Sequence, residues 1–214
     1  MRHQGKKKTD EKGVRDRLLE AATALFAKKG YASTYVREIV TRAGVTKPAL
    51  YYYFKNKGAI FCAILDSAVH LEKTILAEVL EMEGPVLDSL TYLYRRFYQG
   101  VIEQPDLARM INNLISGAPQ GTPTYDLEQF YDRMVDAIKT IYLEGVRKGE
   151  VKEIDVDDAA ILFLSLLDFC LHMDLVDPES SDLERPVRLL RIAFQGLAET
   201  GAPDHRPQSQ LERS

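Results

Sequence analysis

Between Thr34 and Asn56 the punctuation changes every two turns, and this stretch constrains the fold more than any other. Val36, Ile39, Val40 and Ala43 recur at helical spacing, and Gly44 ends that pattern after barely two turns. Val45 tucks back against it. Thr46 is placed to cap a second helix, and Pro48 falls in its first turn, where no backbone N–H is missed. Asn56 closes that helix. Two short helices joined by Ala43-Gly44-Val45 describe a helix-turn-helix. In that motif the second helix enters the major groove of DNA, with its N-terminal residues nearest the base edges. On this geometry Thr46, Lys47 and Ala49 approach bases, and Leu50 and Phe54, four apart, form the inner face. Tyr51, Tyr52 and Tyr53 take the remaining directions, about 100° apart. Some lie along the groove walls, phenol on phosphate and ring on sugar. Tyr53 has an alternative place, packed beneath the first helix.

The charge distribution agrees with a polyanion-binding head. The net charge is −4. Residues 1–57 hold 14 Lys and Arg against 5 Asp and Glu, whereas residues 58–214 hold 14 against 27. A basic end on an acidic body points to polyanion binding by the first quarter alone. Lys6, Lys7 and Lys8 fit a disordered basic tail, but Arg37, Arg42, Lys47, Lys55 and Lys57 lie within patterned sequence.

The rest reads as helical throughout, an all-α fold. Val14, Leu18, Ala22, Leu25 and Phe26 predict a first helix over about 12–29, stopped at Gly30. Thr34 is the expected N-cap of the second. A long helix runs from Lys57 to about Glu83, broken by Gly84-Pro85, and further helices follow at about 86–103, 106–116, 124–148, 156–176 and 183–199. The expected domains are a DNA-binding head over 1–57, with 1–11 disordered, and a helical body over 58–200. Residues 201–214 lack apolar periodicity and are expected to be a disordered tail. The apolar run near Ala159–Leu167 is interrupted by Ser165 and ended by Asp168, short of the roughly 20 residues of a membrane span. No membrane partner is expected, and the basic N-terminus leads into no apolar secretory core, so the cytoplasm is the expected compartment. Cys62 and Cys170 sit inside apolar patterns as small buried hydrophobes; no Cys/His cluster implies a metal or a cofactor.

The run from Arg17 to Leu65 contains AA-x-x-LF-x-x-x-GY, then AGVTK, then LYYYF-K-x-K. In order and spacing these about 50 residues resemble the N-terminal domain of the tetracycline-repressor (TetR) family of transcriptional regulators. The resemblance implies that Thr46, Lys47, Pro48 and Ala49 face bases, and that Tyr51, Tyr52 and Tyr53 contact phosphates and the groove. It implies that Lys57 takes a phosphate at the start of helix four, and Thr34 another at the start of helix two. Two positions depart from the family's pattern. Tyr35 stands where a small hydroxyl residue is usual. Gly58 stands where an acidic residue is common, which weakens the cap of helix four and loosens the joint between head and body.

One reading head offers little surface, and two heads across a twofold axis would sit about 34 Å apart, one turn of DNA. A body that dimerises is therefore expected. The segment Ala159–Met173 is apolar nearly all round, and the last helix carries Leu183, Val187, Leu190, Ile192, Phe194 and Leu197. The resemblance implies that these two helices form a four-helix bundle with their copies. Ser165, Asp168 and His172 share one face of the apolar helix; Asp168 and His172 can pair with each other, and they face either the dimer seam or an effector pocket. The family places that pocket among helices four to eight, where the candidate lining residues are Tyr94, Arg95, Phe97, Tyr98, Asn112, Asn113, Tyr125, Phe130 and Met134. A metal bound by Asp66, His70, Asp168 and His172 is disfavoured, and so is an enzyme built on Cys170 and His172. Cys170 lies two positions from Asp168 and from His172 and faces away from both. The function expected is a homodimeric regulator of a double-stranded DNA operator, a repressor released by a small apolar or aromatic effector. Control by a protein partner with no small-molecule ligand is the alternative, and a dimer module with a degenerate head is a third.

Overall fold

The computed structural model describes residues 4–116, 121–177, 179, 182 and 184–197. Nine helices run in order among them, with no strand. They are α1 (Gln4–Lys29), α2 (Val36–Ala43), α3 (Lys47–Tyr53), α4 (Lys57–Leu80), α5 (Val86–Glu103), α6 (Pro105–Ser116), α7 (Glu128–Lys148), α8 (Val156–Val176) and α9 (Arg185–Leu197). The expected tail over 201–214 lies outside the described residues, as do residues 1–3 and Leu183.

The helix ends follow from local chemistry. Gly30, at φ 81°, ends α1, its N–H on the Phe26 carbonyl at 2.9 Å. Gly44 takes the left-handed conformation at φ 64° and returns its N–H to Thr41 and Val40, the usual close of a helix by a residue without Cβ. The Thr46 hydroxyl accepts the Ala49 N–H at 3.3 Å and starts α3, with Pro48 in the first turn. Asn56 caps α4 rather than closing α3: its side-chain oxygen accepts the Ala59 N–H at 2.8 Å, and α3 ends at Tyr53. α1 begins at Gln4, eight residues before the expected start, since nothing in "QGKKKTDEKG" except its two glycines opposes helix. α7 begins at Glu128 rather than 124, because Pro123 lies outside it and the Asp126 carboxylate accepts the Gln129 N–H at 3.3 Å.

Thr34 is not the cap of α2. It is 0% exposed, and its hydroxyl donates to the Gly30 carbonyl at 2.8 Å, sealing the end of α1. Tyr35 is the N-cap residue, and the Glu38 carboxylate accepts its N–H at 2.9 Å.

Two apolar clusters result. The first gathers Leu18, Phe26, Ile39, Leu50 and Phe54 with Ile60, Phe61, Ile64 and Leu65 of α4 and Met110 of α6, so its packing runs across residue 57. Burying Leu50 and Phe54 on one side of α3 turns the opposite side outward. The second packs α5 among α4, α7, α8 and α9, with Tyr94, Tyr142 and Phe163 at its centre. α4 contributes residues to both clusters, and α6 also joins head to body by packing on α1, α5 and α8. α8 has the length and hydropathy of a membrane span, but 39% of that stretch is buried in the body, and it carries Asp168 and Asp174.

Candidate nucleic-acid interface and effector cavity

The outward side of the head is built from α2 and α3. Thr46, Lys47 and Pro48 are exposed at the start of α3, and Ala49 is half-buried. Tyr51 is 47% exposed and Tyr52 73%, unusual for aromatic rings, with the Lys47 ammonium 5.8 Å from the Tyr51 ring centre. Tyr53 is half-buried against the first cluster and meets the Tyr52 ring edge-on at 4.9 Å. It therefore takes the packing place as well as bordering the outward face.

Two expected phosphate ligands are put to other use. The side chain of Thr34 is inside the protein, so it does not reach a phosphate. Lys57 turns inward: its ammonium donates to the carbonyls of Tyr31 at 2.7 Å and Thr34 at 2.8 Å, and lies 4.0 Å from the Tyr31 ring centre. Burial pushes its pKa down, and the nearby charge of Lys29 adds to this. Lys57 is a strut from α4 to the α1–α2 turn. Tyr35 was missed as a surface group. It is 61% exposed at the start of α2, with the Lys29 ammonium at 6.0 Å and the Arg37 guanidinium at 5.9 Å from its ring centre. Its sequence signal was a bulky aromatic at a cap position, next to cations.

Gly58 sits in a filled corner. A Cβ there would stand 3.1 Å from the Asn56 side-chain oxygen, 3.3 Å from Pro123 Cγ and 3.4 Å from the Tyr31 phenol, so the loop before α7 packs directly on the start of α4. The Tyr125 phenol donates to Asp66 at 2.8 Å, just below it. Burial, then that hydrogen bond, pushes the Tyr125 pKa up to about 12.

The body holds a cavity of about 510 Å³ walled by α4, α5, α6, α7 and α8. Of the candidate lining residues, Phe97, Asn112, Phe130, Met134, Asp168 and His172 line it. Tyr94, Tyr98, Asn113 and Tyr125 do not, nor does Arg95. Tyr94 is fully buried with its phenol on the Phe163 carbonyl, and Tyr98 donates to the buried Asp174 at 2.6 Å; both are wedged into the second core behind the cavity wall. Asn113 points to the Ala27 carbonyl of α1 at 3.5 Å, Tyr125 is held by Asp66, and Arg95 pairs with Glu184 at 3.3 Å. Asp168 and His172 do not pair with each other. The Tyr131 phenol donates toward Asp168, and His172 Nδ1 lies 3.5 Å from the Asn112 side-chain oxygen. Burial raises the Asp168 pKa, which the Tyr131 hydrogen bond pulls back. The Tyr131 pKa itself is pushed up to about 12, by burial first.

Glu72, a charged wall residue, was not among the candidates. Glu72 of α4 is 1% exposed and is gripped by Arg133 of α7 through contacts of 3.0, 3.1 and 2.7 Å. A fork of this kind satisfies a buried carboxylate. Ala68, Glu72, Ile75 and Val79 follow one helical stripe, so the spacing did carry the signal.

An exposed helix-turn-helix on a helical body is the architecture of a DNA-binding transcriptional regulator. Residues 18–64 match the model of the family described as "Bacterial regulatory proteins, tetR family". A probable HTH-type transcriptional regulator, ArpR of Pseudomonas putida, is 31% identical over 188 residues, 82% of this chain and 87% of that protein. The A-factor receptor protein of Streptomyces griseus is 42% identical over 199 residues, 91% of this chain and 68% of that protein. The solved structure of CprB, a TetR-family protein from S. coelicolor A3(2), superposes with a TM-score of 0.73 at 25% identity, covering 92% of this chain and 94% of that one. The chain belongs to the TetR family of transcriptional regulators.

Proposed function

We propose that this protein is a homodimeric repressor that binds a double-stranded DNA operator through residues 1–57 and is released by a small, largely apolar effector held in residues 58–200. It acts in the cytoplasm. Thr46, Lys47, Pro48 and Ala49 read base edges, and Tyr51 and Tyr52 line the groove walls, with Tyr53 partly packed behind them. The observation that carries the reading is that α4 is both a wall of the 510 Å³ cavity and the helix strutted to the head through Lys57. An effector that binds more tightly to one setting of α4 shifts the population of head spacings by that difference in affinity. Its relation to a protein named as a receptor, the A-factor receptor, supports ligand response. A body without a cavity would have favoured control by a protein partner. Ile161, Phe169, Met173 and Ile192 are exposed on α8 and α9, an apolar face suited to a second copy.

DNA selected from a random pool by the purified protein gives the operator. Lys47→Ala with Tyr51→Ala should then weaken operator binding about a hundredfold or more while the dimer survives. Met134→Trp, which fills the cavity, should leave operator binding intact and abolish release by any effector found. Tight binding by the double variant would overturn the assignment of the reading face, and undiminished release from Met134→Trp would overturn that of the cavity.

A further inference from the structure

This inference rests on the cavity being the effector site and concerns the chemistry it accepts. The apolar part of its wall comes from side chains such as Phe97, Ile111, Phe130 and Met134. Polar groups gather on one side, where three helices meet: Ser165, Asp168 and His172 from α8, Asn112 from α6 and Tyr131 from α7. The charged groups facing the space differ in how they are satisfied. Glu72 is gripped by Arg133. Arg96 turns its guanidinium to Glu78 of α4, with contacts of 3.3 and 3.4 Å. Asp168 is half-buried, has the Tyr131 phenol beside it, and forms no ion pair among the described residues. A carboxylate offers about four acceptor sites, and a ligand seated in the cavity strips water from those of Asp168, which is costly unless they are replaced. A ligand that supplies the donor recovers that cost, and one that brings a second negative charge adds to it.

We propose that the cavity selects amphipathic effectors whose polar head donates a hydrogen bond to Asp168, an ammonium or hydroxyl group on an aromatic or aliphatic skeleton, and disfavours carboxylate heads. The head sits between Asp168 and the Asn112–His172 pair while the skeleton lies among the Phe97, Phe130 and Met134 side chains. His172 is the group that would favour the opposite sign, since as a cation it could receive a carboxylate.

Calorimetric titration of the full chain at neutral pH with naphthylethylamine, naphthylethanol and naphthylacetate separates these cases. Both donor heads should bind about tenfold or more tightly than naphthylacetate, the range expected for a charge-assisted hydrogen bond. Asp168→Asn should weaken the amine about tenfold and leave naphthylacetate unchanged or tighter. Naphthylacetate binding as tightly as the amine, or an Asp168→Asn variant that keeps the parent's order, overturns the inference and leaves the cavity reading standing. Binding of none of the three overturns both. The order on the unaltered protein needs no variant to fold.

Discussion

At the scale of single residues, two side chains show how burial reassigns a charge. Lys57 was legible as a basic residue at a helix start, and nothing in its neighbours showed that the α1–α2 turn brings two carbonyls within 2.8 Å of its ammonium. Lys57→Met leaves those acceptors without their donor. It should lower stability by about 1–3 kcal/mol, read as a fall in Tm, with the salt dependence of operator binding kept. A phosphate ligand would behave otherwise, the slope of log affinity against log salt shrinking by about one with Tm unmoved. Asp168 makes the second case. Its raised pKa means that the folded chain holds the proton more tightly than the unfolded one. That contribution to stability is full below the ordinary value of 3.8 and is lost as pH rises through the folded value. Ionised Asp168 therefore costs stability at neutral pH. Asp168→Asn should raise Tm at pH ~7 and lose that advantage as pH falls below ~4, measured by thermal unfolding across pH. A variant less stable at neutral pH would contradict the burial argument.

At the scale of elements, the helices and their caps were largely legible because their signals are local. Gly30, Gly44, Thr46 and Pro48 each act within one turn, and the structure uses each as its chemistry dictates. Local signals failed where two of them competed or where a distant element took part. Thr34 could cap α2 by position, but the hydroxyl is taken by the Gly30 carbonyl in a turn that buries it. Gly58 read as a missing cap acid, yet the space beside it is shared by the Asn56 cap, the Tyr31 phenol and Pro123, the last 65 residues along the chain. Gly58→Glu should force that loop away from α4 and lower stability by about 1–3 kcal/mol, the usual cost of overfilling a packed contact. A Tm equal to the parent's would mean that the loop yields freely and does not clasp α4.

At the scale of the whole molecule, the proposed function needs two copies. Ile161, 61% exposed on α8, and Ile192, 64% exposed on α9, leave apolar surface without cover in a single chain. Ile161→Glu with Ile192→Glu should turn a dimer into a monomer in sedimentation. Operator binding should fall at least tenfold in the same variant, since each head alone reads only a half-site. A dimer that survives both charges would place the subunit contact elsewhere. Binding by the intact dimer should also weaken steeply between about 50 and 200 mM salt, because several phosphates are neutralised at once.

The sequence by itself determined the helix-turn-helix head. Its short helices, their punctuation and the outward rings of Tyr51 and Tyr52 follow from spacing along one stretch of chain, because a helix face is fixed by residues three and four apart. The tertiary structure decided which polar residues meet across helices. It sent Tyr94 and Tyr98 into the core, gave Glu72 to Arg133, turned Lys57 inward and set Asp168 on the cavity wall beside Tyr131. Side chains 61 residues apart, such as Glu72 and Arg133, share no periodicity, and only the packing of α4 against α7 brings them together.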